Sequence, residues 1–496
     1  MRRRLKALLA CLVLCAALAS APASAVSPRF TDVPDGYWAA SQIRRAVDAG
    51  LFNGRSASWF GASRSMTRAE FAVVLCRLFG WETVTPTSGS FTDNQNPTAW
   101  YYSAVETACL NGAVTQQSQT FRPGDPITRE ELSVMLVRAL GYANIAGLTQ
   151  DLPLPFRDVS ANRGYLSMAY QLGIVSGTSA TAFSPNAIAT RAQAAVMLMR
   201  VYDKLHAASP ALWGLAPDSA SLVTAGMHIV AVPAARLTGG ENPALTQSVT
   251  DGEIRAVRAA AAGAAVLLEV SGDAAALQGN AAATAALLAA AVSDGDYGGV
   301  LLDIRQVPAD GKAAMTELVT AIRAALGDKL LYVVTEAPVW QGTAYGGYDF
   351  AMLAKQADRL VVRVTPYDKI SGGVLTAPEE PLEEVYYALS TLKSTVSPAK
   401  LSLLLTTTGS DGSDGTRIAE LLGTSGIGTY YSARYDSAYL TKLTSQGSSV
   451  VLWYHNAAAA AARRQLCAFF GVESICLSDL TSLGDYGDNS LLRGLK

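Results

Sequence analysis

The chain is poor in charge, and what charge it has is not gathered into blocks. Only 16% of its 496 residues are Asp, Glu, Lys or Arg, and the formal net charge is −2. No Lys/Arg run follows the first few residues, so the electrostatic footprint of a polyanion binder is missing, which argues against nucleic acid as a partner. Cysteine is also scarce. Two of the six, Cys11 and Cys15, fall in the N-terminal segment, and Cys76, Cys109, Cys467 and Cys476 are scattered without metal-ligand spacing. That argues against a disulfide scaffold and a metal site, and nothing calls for a cofactor. A Cys467–Cys476 pairing across a helix–strand step stays open beside the plainer reading of inert buried thiols. After the N-terminal segment no stretch is apolar enough to cross a membrane, which takes about 20 residues. No C-terminal sorting signal is visible.

What is present is apolar. Half of the residues are hydrophobic, enough for sizeable cores in two or three domains. Arg2, Arg3, Arg4 and Lys6 precede an apolar stretch from Ala7 to Leu18, and Ala23-Ser24-Ala25 then offers small residues for cleavage. This is the pattern of an export signal over residues 1–25, leaving a mature chain that starts near Val26 and lies outside the membrane. The apolar run is short for an uncleaved anchor. Leu8-Leu9-Ala10-Cys11, which has the look of a lipoprotein box, would leave almost no apolar segment ahead of it.

Three internal repeats follow. Phe30-Thr31-Asp32, Phe91-Thr92-Asp93 and Phe156-Arg157-Asp158 recur 61 and 65 residues apart, each trailed by an aromatic: Trp38, Trp100 and Tyr165. Each unit continues with a helix-like stretch ending in Gly, then a turn at Phe60-Gly61, Phe121-Arg122-Pro123 or Phe183-Ser184-Pro185. Each closes on Thr-Arg: Thr67-Arg68, Thr128-Arg129 and Thr190-Arg191. The Thr is a good helix N-cap, and Glu70, Glu131 and Gln193 three residues on complete capping boxes. Two short helices cannot bury their own apolar face, so the three units must pack together.

These elements resemble the S-layer-homology (SLH) family, over repeats at residues 28–84, 88–146 and 153–204. The resemblance implies an all-α, three-pronged helical assembly whose grooves bind secondary cell-wall polymer, often pyruvylated. It implies Arg68, Arg129 and Arg191 as contacts for the anionic sugar, since a guanidinium can give a carboxylate two parallel hydrogen bonds. Asp32, Asp93, Asp158, Trp38 and Trp100 would line or support the same grooves. The alternative for each Arg is that it only braces its helix. Repeat one lacks the Phe-x-Pro turn and repeat three has Tyr165 for Trp, so the second groove follows the family best.

Residues 205–220 read as a linker, and 221–496 as an α/β domain. Near-continuous apolar strands are expected at Met227–Val232, Ala264–Val270, Gly299–Ile304, Leu330–Thr335, Leu360–Thr365, Leu401–Thr406, Val450–Tyr454 and Ser474–Leu477, with helices between them. Such strands imply a parallel sheet covered on both faces, fitting a (β/α)8 TIM barrel, with a doubly wound open sheet as the alternative. Polar residues at the strand ends are Glu269, Asp303, Arg305, Glu336, Tyr367, Asp368, His455 and Asp479. Each is a candidate for chemistry at the barrel mouth or a cap for the helix that follows.

The run Asp296-Tyr297-Gly298-Gly299-Val300-Leu301-Leu302-Asp303-Ile304-Arg305 resembles the fourth-strand signature of glycoside hydrolase family 18, D-G-x-D-x-D-x-E. Thr365-Pro366-Tyr367-Asp368 and Leu452-Trp453-Tyr454-His455-Asn456 follow later segments of that family, closest to its spore-cortex and germination branch. The family's acid is a Glu that protonates the glycosidic oxygen while the substrate's own acetamido group attacks. Here Arg305 stands at that position, Gly298 and Leu301 replace the first two Asp residues, and only Asp303 remains. With a pKa above about 12, an arginine is no general acid near neutral pH. Asp303, Arg305 and Tyr367 are therefore barrel-mouth candidates, and no catalytic residue of the family type is expected.

The expected protein is exported to the cell wall, held through its repeats, and carries a non-catalytic barrel that binds peptidoglycan or another glycan. A purely architectural barrel is a further reading. The enzyme alternative is a hydrolase using displaced carboxylates, Glu336 with Asp368.

Overall fold

The computed structural model describes residues 30–149, 152–220, 222–224, 226–261, 263–365, 377–443 and 449–496. The proposed signal, Tyr367 and Asp368 lie outside the described residues. Two compact units divide the chain: residues up to Leu132 with Asn186–Met199, and Ser133–Pro185 with Arg200–Lys496.

Each repeat supplies two helices. They are α1 (Ala40–Asp48) and α2 (Arg68–Phe79), α3 (Tyr102–Leu110) and α4 (Arg129–Ala139), and α6 (Arg163–Gln171) and α7 (Arg191–Leu205); a short α5 (Ala143–Leu148), not expected from the sequence, follows α4. The expected capping boxes form. The Glu70 amide donates to Thr67 Oγ1 at 3.1 Å and the Thr67 amide to Glu70 Oε2 at 3.0 Å. Glu131 and Gln193 do the same with Thr128 and Thr190. In the first unit the three cap segments close a ring of backbone hydrogen bonds. The Met66 amide donates to the Ala189 carbonyl at 3.0 Å, Ala189 to Ile127 at 2.9 Å, and Ile127 to Met66 at 2.8 Å. Each segment satisfies its neighbour's amide, so none can form its cap geometry alone.

The second unit contains the barrel. Eight parallel strands, β1 (Ala211–Leu215), β2 (Ile229–Thr238), β4 (Ala265–Asp273), β5 (Gly299–Arg305), β6 (Leu330–Glu336), β7 (Arg359–Arg363), β8 (Leu401–Leu405) and β12 (Ser474–Leu477), pair in that order, and β1 closes onto both β12 and β2. A short antiparallel β3 (Ala244–Gln247) flanks β2. That closure rules out the open-sheet alternative. Around the sheet lie α8 (Asp251–Ala260), α9 (Ala281–Asp294), α10 (Lys312–Leu326), α11 (Phe350–Gln356), α12 (Leu382–Leu392) and α14 (Ala457–Phe470), close to the expected helices. A final short α15 (Leu491–Leu495) ends the chain.

Two strand assignments are corrected. β1 lies in the stretch read as linker: a five-residue strand in the run between Pro210 and Pro217 looks like connector, yet Trp213 is buried in the barrel centre and donates its indole N–H to Ser402 Oγ at 3.0 Å. Conversely, Val450–Tyr454 is no barrel strand. It belongs to β11 (Ser449–Tyr454), which with β9 (Gly428–Ser432) and β10 (Ser437–Leu443) forms a separate antiparallel sheet inserted between β8 and β12. One face of that sheet, Ala438, Leu440, Leu452 and Tyr454, buries Ile418 of α13 (Gly415–Leu422). The other bears aromatic rings, so the run is apolar on both faces without being barrel interior.

Side chains alternate along each strand, and this sets the site. Trp213, Ala231, Leu267, Leu301, Val334, Val361 and Cys476 pack together as the barrel centre. Two residues further on, the same faces carry Leu215, Glu269, Asp303, Glu336, Arg363 and Ser478, forming the floor of the C-terminal mouth.

Candidate functional site

In the repeats, the sequence-predicted residues sort by what they touch. The Asp32 carboxylate accepts the backbone N–H groups of Phe60, Gly61 and Ala62 at 2.7–2.8 Å. Asp93 takes those of Phe121 and Arg122, and Asp158 those of Phe183 and Ser184. These aspartates hold turns. The second residue of each turn adopts left-handed backbone, at φ 79° for Gly61, 61° for Arg122 and 59° for Ser184. Repeat one departs at the third position, where Ala62 stands for proline and gives Asp32 a third N–H that proline lacks.

Arg68 and Arg191 are largely enclosed. Arg68 Nε donates to the Phe121 carbonyl at 2.7 Å, its other nitrogen to Glu131 at 2.9 Å, and its guanidinium lies 4.9 Å from the Phe121 ring centre. Arg191 reaches the carbonyls of Phe60 and Asn53 and sits over the Phe60 ring at 4.8 Å. Arg129 is buried as well. The Arg68 and Arg191 contacts join one repeat to another. Trp38 and Trp100, by contrast, are 60% and 66% exposed, with an indole face turned to solvent beside Tyr37 and Tyr101.

At the barrel mouth a cavity of about 430 Å³ is lined by Glu269, Asp303, Arg305, Arg363, Thr365 and Thr406 among others. The expected Asp303–Arg305 pair is present: Arg305 Nε and one terminal nitrogen lie 3.1 and 3.0 Å from Asp303 Oδ2. Sequence reasoning missed their principal partner. Arg363 donates to Asp303 Oδ2 at 2.6 Å and to Glu336 Oε1 at 3.0 Å, lying buried between the two carboxylates. The signal was there, an arginine inside the otherwise apolar run expected as a strand at Leu360–Thr365. Glu336 is thus held as an ion-pair partner, and its proposed companion Asp368 falls outside the described residues. Asp303 Oδ1 is buried with no hydrogen-bond partner among the described residues.

Glu269 differs from the others. It lines the cavity at 4% exposure, and no described residue donates a hydrogen bond to its carboxyl. Burial, with Asp303 adding repulsion, pushes its pKa up to about 8. It therefore carries a proton at neutral pH. The unfolded chain releases that proton near 4.5 and the folded chain near 8, so stability falls as pH rises across that window, by about 1.4 kcal/mol per unit of separation. Glu269→Gln should flatten that fall and stabilise the protein at pH 8, as read by urea unfolding at several pH values. An unchanged slope would mean the carboxyl is solvated.

Of the described strand-end residues, His455 and Asp479 remain. Buried His455 is held neutral, its pKa pulled down to about 3 by burial and by Arg463, with Nδ1 3.0 Å from the Thr406 carbonyl. Asp479 accepts the amide and hydroxyl of Thr481 within its own turn. The four described thiols are unpaired: Cys76, Cys467 and Cys476 are buried and Cys109 is half-buried. No group of metal-ligating side chains occurs among the described residues.

Residues 29–72, 90–133 and 155–195 match the S-layer homology domain. An exoglucanase, XynX, of Acetivibrio thermocellus is 29% identical over 184 residues, covering 36% of this chain and 16% of its own. An S-layer protein of Bacillus licheniformis is 31% identical over 192 residues, covering 38% of this chain and 21% of its own. The chain therefore spans about a fifth or less of the length of these two relatives. Among solved structures, a class V chitinase from Pseudomonas fluorescens Pf-5 superposes with a TM-score of 0.51 at 20% identity, covering 58% of this chain and 100% of that one. That likeness is one of fold.

Proposed function

We propose that the protein is held at the cell surface by its SLH repeats, on secondary cell-wall polymer, and that its barrel binds glycan without cleaving it. The barrel half of this reading rests on Arg363. Glycoside hydrolysis needs one carboxyl to give a proton and a second to stabilise or attack the sugar. Here Asp303 and Glu336, two of the carboxylates at the strand ends, share a buried guanidinium, and Arg305 stands where the family 18 acid would be. Neither of these two is free to act. Neutral Glu269 and the unpartnered Asp303 Oδ1 are instead a hydrogen-bond donor and acceptor turned toward the cavity, suited to a sugar's hydroxyl or amide. In the repeats, Trp38 and Trp100 offer exposed ring faces to the polymer, and the Asp and Arg residues keep the turns and repeat contacts that hold them in place.

Purified protein should bind wall fragments that carry secondary polymer and lose that binding when the polymer is stripped by acid. A Trp38→Ala, Trp100→Ala double variant should weaken it at least tenfold in a sedimentation assay. With chitin oligosaccharides or peptidoglycan, no new reducing ends should appear. Turnover that disappears in Glu269→Gln or Glu336→Gln would overturn the non-hydrolytic reading.

A further inference from the structure

The barrel flank carries a second cavity, distinct from the mouth. It encloses about 200 Å³ between α5, the loop after β6, the start of α12 and the β9–β10 hairpin, with Trp340, Glu383, Tyr387, Arg434 and Tyr435 in its wall. Segment 377–381 separates the two: Glu379 and Glu380 line the mouth, while Ala377 and Pro381 line the flank.

Three features of this cavity have no evident part in folding. Trp340 is 38% exposed, its ring propped edge-on by Tyr387 at 5.6 Å, while its backbone amide is fixed by Glu384 at 2.7 Å. A core tryptophan would bury that face. Glu383 Oε2 is buried without a hydrogen-bond partner among the described residues, a costly arrangement for a carboxyl that only packs. Burial, with Glu384 beside it, pushes the Glu383 pKa up to about 7, so it is close to half protonated at neutral pH. Arg434 lies over the Tyr435 ring at 4.9 Å, a cation at the cavity's edge.

From Tyr435 at the cavity wall a row of rings continues. That ring meets Trp453 edge-on at 5.6 Å; Trp453 packs on Tyr439 at 4.8 Å, and Tyr439 stacks on Tyr430 at 5.2 Å and 21°. Tyr439 pairs across strands with both Trp453 and Tyr430, so the three rings share the face of the inserted sheet opposite its core. The row ends in Tyr430, 53% exposed. Trp453 is buried and Tyr435 and Tyr439 are half-buried, so Tyr430 is the ring of the row that leaves most apolar area in water.

We infer that the Trp340 cavity and the Tyr435–Trp453–Tyr439–Tyr430 row form a binding track for an extended glycan chain of flat pyranose rings. The terminal sugar would enter the cavity, and later sugars would lie along the hairpin. A pyranose with equatorial substituents has an apolar face that covers an aromatic ring while its rim hydroxyls need polar partners. Trp340 and Tyr430 supply the faces; Glu383 and Arg434 supply the rim. A volume of about 200 Å³ is below the usual range for drug-sized ligands, roughly 300–1,000 Å³, and suits one sugar residue. This track is independent of the mouth reading, because no residue named in it lines the mouth.

Isothermal titration of the full chain with N-acetylglucosamine hexamer and with cellohexaose tests it. At least one should bind, with Trp340→Ala weakening it about tenfold or more and Tyr430→Ala a few-fold. Both changes leave the backbone bonds intact, and thermal melts should confirm unaltered folding. Arg305→Ala, in the mouth, should leave this binding in place. Wild-type affinity in both aromatic variants, or no binding of either hexamer, would overturn the track. Binding lost in Arg305→Ala but kept in Trp340→Ala would overturn it while leaving the mouth as a glycan site.

Discussion

Arg363→Leu should destabilise the barrel by about 3–5 kcal/mol at neutral pH, the cost of stranding buried charge by removing one partner. The guanidinium is the shared partner of Asp303 and Glu336, whose side chains are nearly buried. Arg305 would still cover Asp303 Oδ2. Among the described residues, Glu336 would keep only Thr365 Oγ1, at a long 3.5 Å. Two carboxylates on the ends of neighbouring strands would then repel each other in a poorly hydrated floor. Protonation is their escape. Acid should therefore restore stability to the variant. The deficit is then largest at pH 7 and above. Because the three side chains act as a unit, their effects should not add. Arg363→Leu combined with Asp303→Asn and Glu336→Gln should regain most of the loss, since it leaves no charge unpaired. Urea unfolding of the single and triple variants at pH 5 and pH 7 measures this. A single-variant cost below about 1 kcal/mol would mean that water already reaches the floor.

This buried triad also shows where sequence reading works and where it stops. Asp303 and Arg305 share a face because strand side chains repeat every two residues, and that relation needs only the strand. The Arg363 contacts span 60 residues to Asp303 and 27 to Glu336, so they depend on strand order and register, which the one-dimensional pattern does not carry. The same holds for the strands. Gly299–Ile304 and Leu330–Thr335 were legible because both faces are covered and the whole run is apolar. Val450–Tyr454 looks alike in sequence, but its second covering layer is a row of aromatic rings. β1 was illegible for the opposite reason: a five-residue strand in a run between prolines carries too short a pattern, and its identity comes from Trp213 filling the barrel centre. In the repeats, spacing and capping chemistry predicted the helices and their boxes. What they could not give was that Asp32, Asp93 and Asp158 spend their carboxylates on turn amides, which appears only once the turn has closed.

Arg463 carries the other large expected effect. It is fully buried on α14, and all five of its N–H groups are used. Nε donates to the Glu380 carbonyl at 2.8 Å; the terminal nitrogens reach the carbonyls of Asp436 at 2.6 Å, Ala459 at 2.9 Å and Tyr435 at 3.2 Å, and Ser437 Oγ at 2.8 Å. One side chain thus ties the inserted sheet, its own helix and the segment beside the mouth. Glu380 is held there with left-handed backbone, φ 39°, a conformation that costs energy for a residue with a β-carbon. In Arg463→Met those acceptors lose their donors at about 1–3 kcal/mol for each one left buried. Relaxation and water entry should bring the net cost to about 4 kcal/mol. Lysine would keep the charge but has three donors and no planar fork, so Arg463→Lys should recover only part. The damage should be local first. Amides of β10 should exchange with solvent faster by orders of magnitude, while those of β4, β5 and β6, which share no bond with Arg463, stay protected. If hydrogen exchange instead shows sheet and barrel opening together, the insert is part of the barrel's cooperative core, and Arg463 fixes the whole fold.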